Sequence, residues 1–342
     1  MNIVDINIKK YELPLIKPLV IKNHTINVRL GAIITLTDDS GNKGCGEAAP
    51  LPGLHPFDLD QVIAQLKNFE PQDISPLFME LLYPSAKTAM EMALFDLRLQ
   101  SQKAFDKFRN LTLPVNGLVM AQDADLFDAV DALIAEGYIS IKIKVARQPL
   151  AKDIETIQRL KELIGAGATI RLDANRLWTL DESLEFCNQV AGDQIEYIEE
   201  PLADISQYPI FFDSTDMPVA FDETLVEKGV EELDCLDKVK AFVLKPSLLG
   251  GLSMTGQFIA LALENDIMPV MSCTFGSDLS LRSFALFAAM FGAADIPLGL
   301  DTMKWFKHHL LTEGFKVESG RIEIAALVNR PVFNEQLLYD LS

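Results

Sequence analysis

Several features that mark common protein classes are absent from this chain of 342 residues. Its four cysteines are scattered and none has CxxC spacing, which argues against a disulfide framework or a zinc site. No run of about 18 uncharged apolar residues occurs, so we expect no membrane-spanning helix. The N-terminal stretch MNIVDINIKKYELPL alternates and carries charges, unlike a signal or transit peptide. These absences predict a cytoplasmic protein with reduced thiols.

Positive charge is also scarce. The chain has 30 basic and 49 acidic residues, a net charge of −19, which argues against nucleic acid or an anionic membrane as a partner. There is no GxGxxG, Walker or GxSxG motif, so no dinucleotide fold, P-loop or serine hydrolase is indicated. None of the four histidines ends a predicted strand, so we do not expect a histidine base. The oligomeric state is not indicated.

The chain does carry two different patterns of secondary structure. GAIITLTDDSGNKGCGEAA (31–49) predicts a hairpin, and helical patterns follow at 57–69 and 85–102, which together indicate an α+β unit. The tail from 313 predicts a strand pair that returns to this unit. We therefore predict an α+β capping domain over 1–110, a catalytic domain over 111–312, and a C-terminal segment over 313–342.

The middle of the chain alternates short apolar runs with helix-length segments. This rhythm predicts an α/β fold, a (β/α) barrel of eight units, with an open doubly wound sheet as the alternative. The runs are VNGLVM (115–120), SIKIKV (140–145), TIRLDA (169–174), EYIEE (196–200), PVAFDE (218–223), AFVLKP (241–246), MPVMSC (268–273) and IPLGLD (296–301).

Charged residues end five successive runs. Lys142 and Lys144 lie two positions apart and so share one face of their strand. Strands of a parallel barrel have no solvated face, so both lysines must point into the barrel, where a charge needs a partner or a task. Active sites of barrels lie at the carboxyl ends of the strands. The five residues, spaced 23 to 29 positions apart, are Lys144, Asp173, Glu199, Asp222 and Lys245.

These residue types predict one chemistry. Asp173, Glu199 and Asp222 supply the carboxylate oxygens that Mg²⁺ prefers. A lysine beside another lysine and a divalent cation has its neutral form favoured, which suits it to act as a base. The metal can hold a substrate carboxylate and stabilise the charge left when the adjacent carbon loses a proton. The sequence therefore predicts an enzyme that abstracts a proton α to the carboxylate of a small molecule.

At these positions the chain resembles the enolase superfamily, in its muconate-lactonizing-enzyme-like (Lys/Lys) branch. The resemblance covers essentially the whole chain and implies a (β/α) barrel covered by an α+β capping domain, built from the N-terminus and closed by the C-terminal tail. It implies one Mg²⁺, for which Mn²⁺ can substitute. The motifs that carry it, in order, are KIK (142–144), DAN (173–175), IEEP (198–201), DET (222–224) and LKP (244–246).

Within that branch the sequence is most similar to the o-succinylbenzoate synthase family, dehydratases of menaquinone biosynthesis. GEAAPLPGL (46–54), the helix at 85–102 and GLDT (299–302) support this. The resemblance implies that Lys144 abstracts the α-proton and returns a proton to the leaving hydroxyl on the same face, while Lys245 stabilises the enediolate from the opposite face. The implied ligands of Mg²⁺ are Asp173, Glu199 and Asp222. The implied substrate contacts are Lys142 and Asn175 near the carboxylate and Gly276 and Ser277 near the succinyl tail.

The sequence is also compatible with other functions. A dipeptide epimerase or N-acylamino acid racemase shares both lysines and the metal site, because racemisation needs a base on each face. An Asp-x-Asp loop after the last strand would favour the epimerase, but GLDTMKW supplies only Asp301. A muconate-type cycloisomerase and a catalytically silent barrel that acts as a binding module are further alternatives. An inactive relative should have lost one of the charged strand ends, and all five are present.

Overall fold

The computed structural model describes residues 2–101, 107–120, 124–292 and 295–341. Across these residues the strands form an antiparallel sheet of order β13-β1-β2-β3, a parallel sheet of order β11-β10-β9-β8-β7-β6-β5, and the pair β12-β4. The strands are β1 (Ile3–Ile21), β2 (His24–Asp38), β3 (Lys43–Ala48), β4 (Thr112–Pro114), β5 (Gly117–Val119), β6 (Ser140–Lys144), β7 (Thr169–Asp173), β8 (Ile195–Glu199), β9 (Val219–Phe221), β10 (Val239–Leu244), β11 (Met268–Met271), β12 (Arg321–Glu323) and β13 (Leu338–Asp340).

The α-helices follow the strands of the parallel sheet and cover the antiparallel one. In the described parts of the chain, no helix is both long enough and apolar enough to cross a membrane. The helices are α1 (Leu59–Lys67), α2 (Pro76–Met79), α3 (Pro84–Ser101), α4 (Ala124–Ala135), α5 (Leu150–Ile164), α6 (Leu180–Val190), α7 (Tyr208–Ser214), α8 (Glu223–Lys228), α9 (Pro246–Leu249), α10 (Leu252–Glu264), α11 (Asp278–Met290) and α12 (Ile324–Leu327).

The predicted α+β unit is confirmed in its elements. β2 and β3 form the predicted hairpin, and α1 and α3 match the two predicted helices; the last predicted position of the second, residue 102, lies outside the described residues. Helix α3 packs directly on β3. A Cβ atom on Gly44 or Gly46 would lie 2.1 Å and 1.8 Å from backbone oxygens of α3, so only glycine allows this approach.

Seven of the eight predicted runs are strands of the parallel sheet. The eighth, 296–301, is not a strand. Its Leu298 and Gly299 instead form isolated parallel bridges to Val115 and Ser272, which lie beside the two outer strands of the sheet. The protein thus has the predicted α/β architecture, with a parallel sheet and a separate antiparallel N-terminal sheet.

The tail differs from the sequence prediction in part. The predicted strand pair forms only in part: β12 is a strand but pairs with β4, Glu318 makes a single isolated bridge to Arg321, and the chain then turns into α12. Ile324 and Leu327, three positions apart, are both buried, which is the spacing of a helix face. Further on, β13 pairs with β1, where Asp340 lies opposite Lys9 and Leu338 opposite Tyr11, so the tail does reach the antiparallel sheet.

Candidate active site

The register of the parallel strands brings the predicted charged residues side by side. Lys144 of β6 is the direct partner of Asp173 on β7, and Asp173 is the direct partner of Glu199 on β8. Asp222 immediately follows β9, and Lys245 immediately follows β10. The carboxyl ends of five neighbouring strands therefore present one contiguous group of charges.

Lysine ammonium groups and carboxylates alternate across this group. Lys142 Nζ lies 2.9 Å from Asp173 Oδ2 and 2.5 Å from Glu199 Oε2. Lys144 Nζ lies 2.8 Å from Asp173 Oδ2. Lys245 donates to Asp222 Oδ2. Lys144 has the most exposed side chain of the three lysines, at 30%, against 14% for Lys142 and 16% for Lys245. It is the lysine most open to a small molecule.

Burial and charge shift the ionisation of these groups in opposite directions. Burial lowers the pKa of Lys142, but Asp173 and Glu199 outweigh it and hold that pKa well above its usual range. Burial raises the pKa of Asp173, but Lys142 and Lys144 outweigh it and hold that pKa well below its usual range. For Glu199 the balance is reversed: burial and then the Asp173 charge raise its pKa, because the charges of Lys142 and Lys245 do not compensate them. The Glu199 carboxylate thus lacks positive charge around it.

The chemistry of the three carboxylates fits a divalent cation. Glu199 Oε1 is buried and has no hydrogen-bond partner among the described residues, which is costly for a carboxylate oxygen. No group of three or more His, Cys, Asp or Glu side chains in the described ranges has the arrangement of a metal site. The carboxylates of Asp173, Glu199 and Asp222 each accept a lysine hydrogen bond instead. Three buried carboxylates with an unpartnered oxygen are the ligand set expected for Mg²⁺.

Asn175 lies beside Lys144. Its backbone is in the left-handed region, with φ of +47°, and its N–H donates to Asp173 Oδ1 at 3.1 Å. Its side-chain Oδ1 accepts from Lys144 Nζ at 2.6 Å and from Arg147 Nη2 at 2.9 Å. Asn175 Nδ2 lies 3.4 Å from Glu223 Oε1, and Glu223 Oε2 is buried without a partner in the described structure. The strained turn of Asn175 therefore places its amide directly against Lys144.

Glu200 supports the neighbouring strand end. Its fully buried carboxylate accepts from the backbone N–H groups of Asp222 and Thr224 at 2.8 Å and 2.7 Å, and from Arg176 Nε at 2.8 Å. It thereby fixes the backbone that carries Asp222. The hydrogen bonds that the structure gives Glu200 go to backbone N–H groups and to Arg176, Thr224 and Tyr208, so its role is to hold the strand end.

Gly276 and Ser277 lie in the loop between β11 and α11. Ser277 is fully buried, and its N–H and hydroxyl donate to the two oxygens of Glu47 at 2.8 Å and 2.7 Å. Its hydroxyl also caps α11 by accepting from Leu279 N–H. The structure brings this loop against the antiparallel sheet, and its Ser277 hydroxyl is directed at Glu47 rather than at the lysines. A contact of Gly276 or Ser277 with substrate stays a prediction.

Sequence reasoning missed the residues that hold the turn after Lys245. Thr88 Oγ1 lies 3.0 Å from Pro246 O, and His55 Nε2 lies 3.1 Å from Ser247 O. His55 Nδ1 accepts from Leu51 N–H at 2.8 Å, which leaves Nε2 as the donor. These partners are 158 and 192 positions apart in the chain, so no spacing in the sequence could have shown them.

Two families of known proteins match the chain. The family described as "Enolase C-terminal domain-like" matches residues 125–328. The chain belongs to the enolase superfamily. A second family, "MenC, N-terminal domain", matches residues 4–97. The members of this superfamily are enzymes.

The similarity extends over nearly the whole chain. An o-succinylbenzoate synthase of Aliivibrio fischeri is 30% identical over 89% of this chain and 92% of its own length. Two solved structures share the fold. A muconate lactonizing enzyme of Pseudomonas fluorescens has a TM-score of 0.82 and 18% identity, covering 98% of this chain and 97% of that one. A dipeptide epimerase of Enterococcus faecalis, solved with Mg and L-Leu-L-Tyr, has a TM-score of 0.81 and 20% identity, covering 95% and 97%.

Proposed function

We propose that the protein is an o-succinylbenzoate synthase. It catalyses the Mg²⁺-dependent syn-dehydration of 2-succinyl-6-hydroxy-cyclohexadiene-1-carboxylate to 2-succinylbenzoate. Three successive strand ends carry Asp173, Glu199 and Asp222, and the strand ends on either side carry Lys144 and Lys245; this arrangement carries the chemistry of the proposal. The similarity to the Aliivibrio synthase over 89% of the chain supports this substrate above the related ones.

The residues take complementary roles in the proposed reaction. Neutral Lys144 takes the proton from the ring carbon that bears the carboxylate, and the bonding pair of that C–H bond enters an enediolate. The C–O bond to the hydroxyl then breaks, and Lys144 returns the proton on the same face, so that water leaves and the ring becomes aromatic. Lys245, on the far side of the carboxylates, stabilises the enediolate by its charge over the opposite ring face.

The remaining site residues hold the substrate and the cation. Asp173, Glu199 and Asp222 bind one Mg²⁺, or Mn²⁺ in its place, and the cation when bound stabilises the negative charge on the substrate carboxylate. Lys142 and Asn175 orient that carboxylate next to Lys144. Gly276 and Ser277 shape the side of the pocket near the succinyl tail through the backbone of their loop.

We extend the proposal to the architecture around the site. The bridges of Leu298 and Gly299 to Val115 and Ser272 support closure of the parallel sheet into an eight-unit barrel. The pairing of β13 with β1 supports a capping domain over 1–110 that is completed by the segment 313–342, with the catalytic domain over 111–312.

The test is the ultraviolet absorbance of purified protein with Mg²⁺ and the cyclohexadiene substrate, repeated with EDTA. We expect metal-dependent formation of the aromatic product. No conversion by folded protein in Mg²⁺ would contradict the proposal. Proton exchange at the α-carbon in D₂O, with dipeptides and N-succinyl amino acids, would then show whether the protein is an epimerase or racemase instead.

A further inference from the structure

Arg147 lies next to the proposed base and has no role in the chemistry above. It follows β6 by three positions, and its side chain is exposed. Its Nη2 donates to Asn175 Oδ1 at 2.9 Å, and Lys144 Nζ donates to the same oxygen at 2.6 Å. Because both nitrogens bond one atom, they lie no farther apart than the sum of those two distances. The guanidinium therefore borders the space in which Lys144 meets substrate.

The charge of Arg147 is not balanced by the protein. Lys142, Lys144 and Lys245 each form an ion pair with a carboxylate. Over the ranges that the structure describes, Arg147 forms no ion pair, although the chain has 49 acidic residues against 30 basic ones. An exposed guanidinium offers a planar fork of donors that matches a carboxylate. Its position and its lack of a counter-charge indicate that Arg147 pairs with an anionic group of the ligand.

The backbone directly before Arg147 has an unusual conformation that a buried carboxylate stabilises. Ala146 has φ of +60°, a left-handed conformation that residues other than glycine seldom adopt. Its N–H donates at 2.8 Å to Asp153 Oδ2, a buried carboxylate on α5. Ala146 lies directly before Arg147, whose side chain contacts Asn175. A strained residue with a dedicated buried acceptor is the kind of feature that functional sites retain.

We propose that Arg147 binds the second carboxylate of a dicarboxylate substrate and so selects dicarboxylates over monocarboxylates. The inference rests on the proposed function, in which the first carboxylate is attached to the carbon that Lys144 deprotonates and the second ends the succinyl arm, beyond the part of the arm that the loop of Gly276 and Ser277 flanks. Arg147 acts on binding, whereas the lysines act on the chemical step. Its removal should therefore raise KM and leave kcat nearly unchanged.

Direct binding tests the inference without turnover. The dissociation constants of 2-succinylbenzoate and of benzoate are measured by calorimetry, with Mg²⁺, for the wild type, Arg147→Met and Arg147→Lys. We expect Arg147→Met to weaken 2-succinylbenzoate binding about 10- to 100-fold, as for loss of a charged hydrogen bond, and to leave benzoate binding unchanged. Arg147→Lys should weaken 2-succinylbenzoate binding less than Arg147→Met does. The matched control is Arg159→Met, which removes an exposed arginine that lies over Phe127 on the outer side of α5.

Steady-state kinetics then separates this inference from the proposed function. With active wild type, a KM for Arg147→Met equal to that of wild type, together with unchanged 2-succinylbenzoate affinity, would overturn the role of Arg147 and leave the synthase assignment intact. With inactive wild type, the assignment fails, but a selective loss of 2-succinylbenzoate affinity in Arg147→Met still supports the dicarboxylate subsite. Equal weakening of benzoate and 2-succinylbenzoate would also overturn the inference, because it would place Arg147 at the first carboxylate.

Discussion

At the scale of single residues, the site combines charges that would be costly to bury alone. Asp173 lies between two lysines, and each ammonium there also has a second oxygen partner. Mutual pairing offsets the loss of hydration of these groups. Glu199 keeps one buried oxygen without a partner. This unpartnered oxygen lowers the stability of the protein, and a bound cation would give it a partner. Functional sites commonly retain such a loss of stability because activity requires it.

Lys144→Ala should abolish turnover because it removes the group that takes and returns the proton. Proton transfer by a positioned side chain contributes about 10²- to 10⁴-fold to a rate, so we expect a loss of kcat of at least that order. Circular dichroism should be unchanged, since Lys144 is the most exposed lysine of the site. Lys240→Ala, an exposed lysine on β10, is the control and should keep wild-type kcat. Retained activity in folded Lys144→Ala would remove Lys144 from the role of base.

Glu199→Gln should lose the stabilisation that Mg²⁺ gives. A ligand at 100 times its dissociation constant stabilises a folded protein by about 2.7 kcal/mol. We expect Mg²⁺ to raise the unfolding temperature of the wild type and to leave that of Glu199→Gln nearly unchanged. Glu196→Gln alters the same strand on the side of Arg171 and should keep the response to Mg²⁺. An equal response in Glu199→Gln would show that Glu199 is not a ligand.

At the scale of elements, the first turn of α9, directly after Lys245, couples that residue to distant parts of the chain. Thr88 on α3 and His55 in the loop before α1 hold its two carbonyl groups, while Thr274 bonds the hydroxyl of Ser247 at 2.8 Å. Lys245 is therefore positioned by three elements besides its own strand. Changes in the antiparallel unit should reach the chemical step through this turn.

His55→Gln should make the protein less sensitive to acid. Burial lowers the pKa of His55 to about 4, below the usual value of 6.5. Because the unfolded chain binds the proton more readily, the stability that neutral His55 contributes is complete above pH 6.5 and is lost as pH falls toward 4. The wild type should thus lose on the order of 2 kcal/mol between pH 6.5 and 5 through this residue.

Unfolding temperatures measured between pH 8 and 4.5 check this expectation. The curve for His55→Gln should be flatter below pH 6.5 than that of the wild type, and kcat should fall if the turn after β10 shifts. His308→Gln changes an exposed histidine and should reproduce the wild-type curve. If the curve for His55→Gln coincides with the wild type, the neutral histidine makes no difference to acid stability.

The same elements show what the sequence could predict. Lys142 and Lys144 were predictable because charges that alternate with β-branched residues in a strand covered on both faces demand a partner. The run at 296–301 was not assigned correctly, because two isolated bridges do not make the regular ladder that its apolar pattern indicates. The tail after 320 was misread because apolar residues in a segment this short fit a strand and a helix equally well. The contacts of His55 and Ser277 depend on tertiary packing alone.

At the scale of the whole molecule, polar contacts join the antiparallel unit to the elements of the parallel sheet. Arg29 donates to the carbonyl groups of Ala49 and Pro50 and, across to the loop after β11, to Phe275 O at 2.9 Å. Glu91 on α3 accepts from Ser253 N–H at the start of α10 at 2.9 Å. Because these groups are satisfied only when both units are folded together, we expect the molecule to unfold in one transition.

Asp96→Ala tests how strongly such contacts hold the two units together. Asp96 on α3 pairs with Arg282 on α11 at 3.1 Å, and both side chains are buried. Removal of one partner leaves an uncompensated buried charge, so we expect a loss of about 3–5 kcal/mol in the free energy of unfolding, measured in urea. Asp234→Ala breaks the more exposed pair with Lys228 and should cost less than about 1 kcal/mol. Similar losses of unfolding free energy in both variants would show that the Asp96–Arg282 pair does not hold the two units together strongly.

The pairing of β13 with β1 has a consequence for biosynthesis. Lys9 on β1 and Glu335, just before β13, are 326 positions apart, yet their side chains meet at 2.9 Å. At roughly 5–20 residues per second, a ribosome needs about 15–65 seconds to make the intervening chain. During that time, residues 9–11 at the edge of β1 lack β13, the strand with which they pair in the folded protein. An open edge can pair with other nascent chains, so we expect folding during translation to need protection of this strand until β13 emerges.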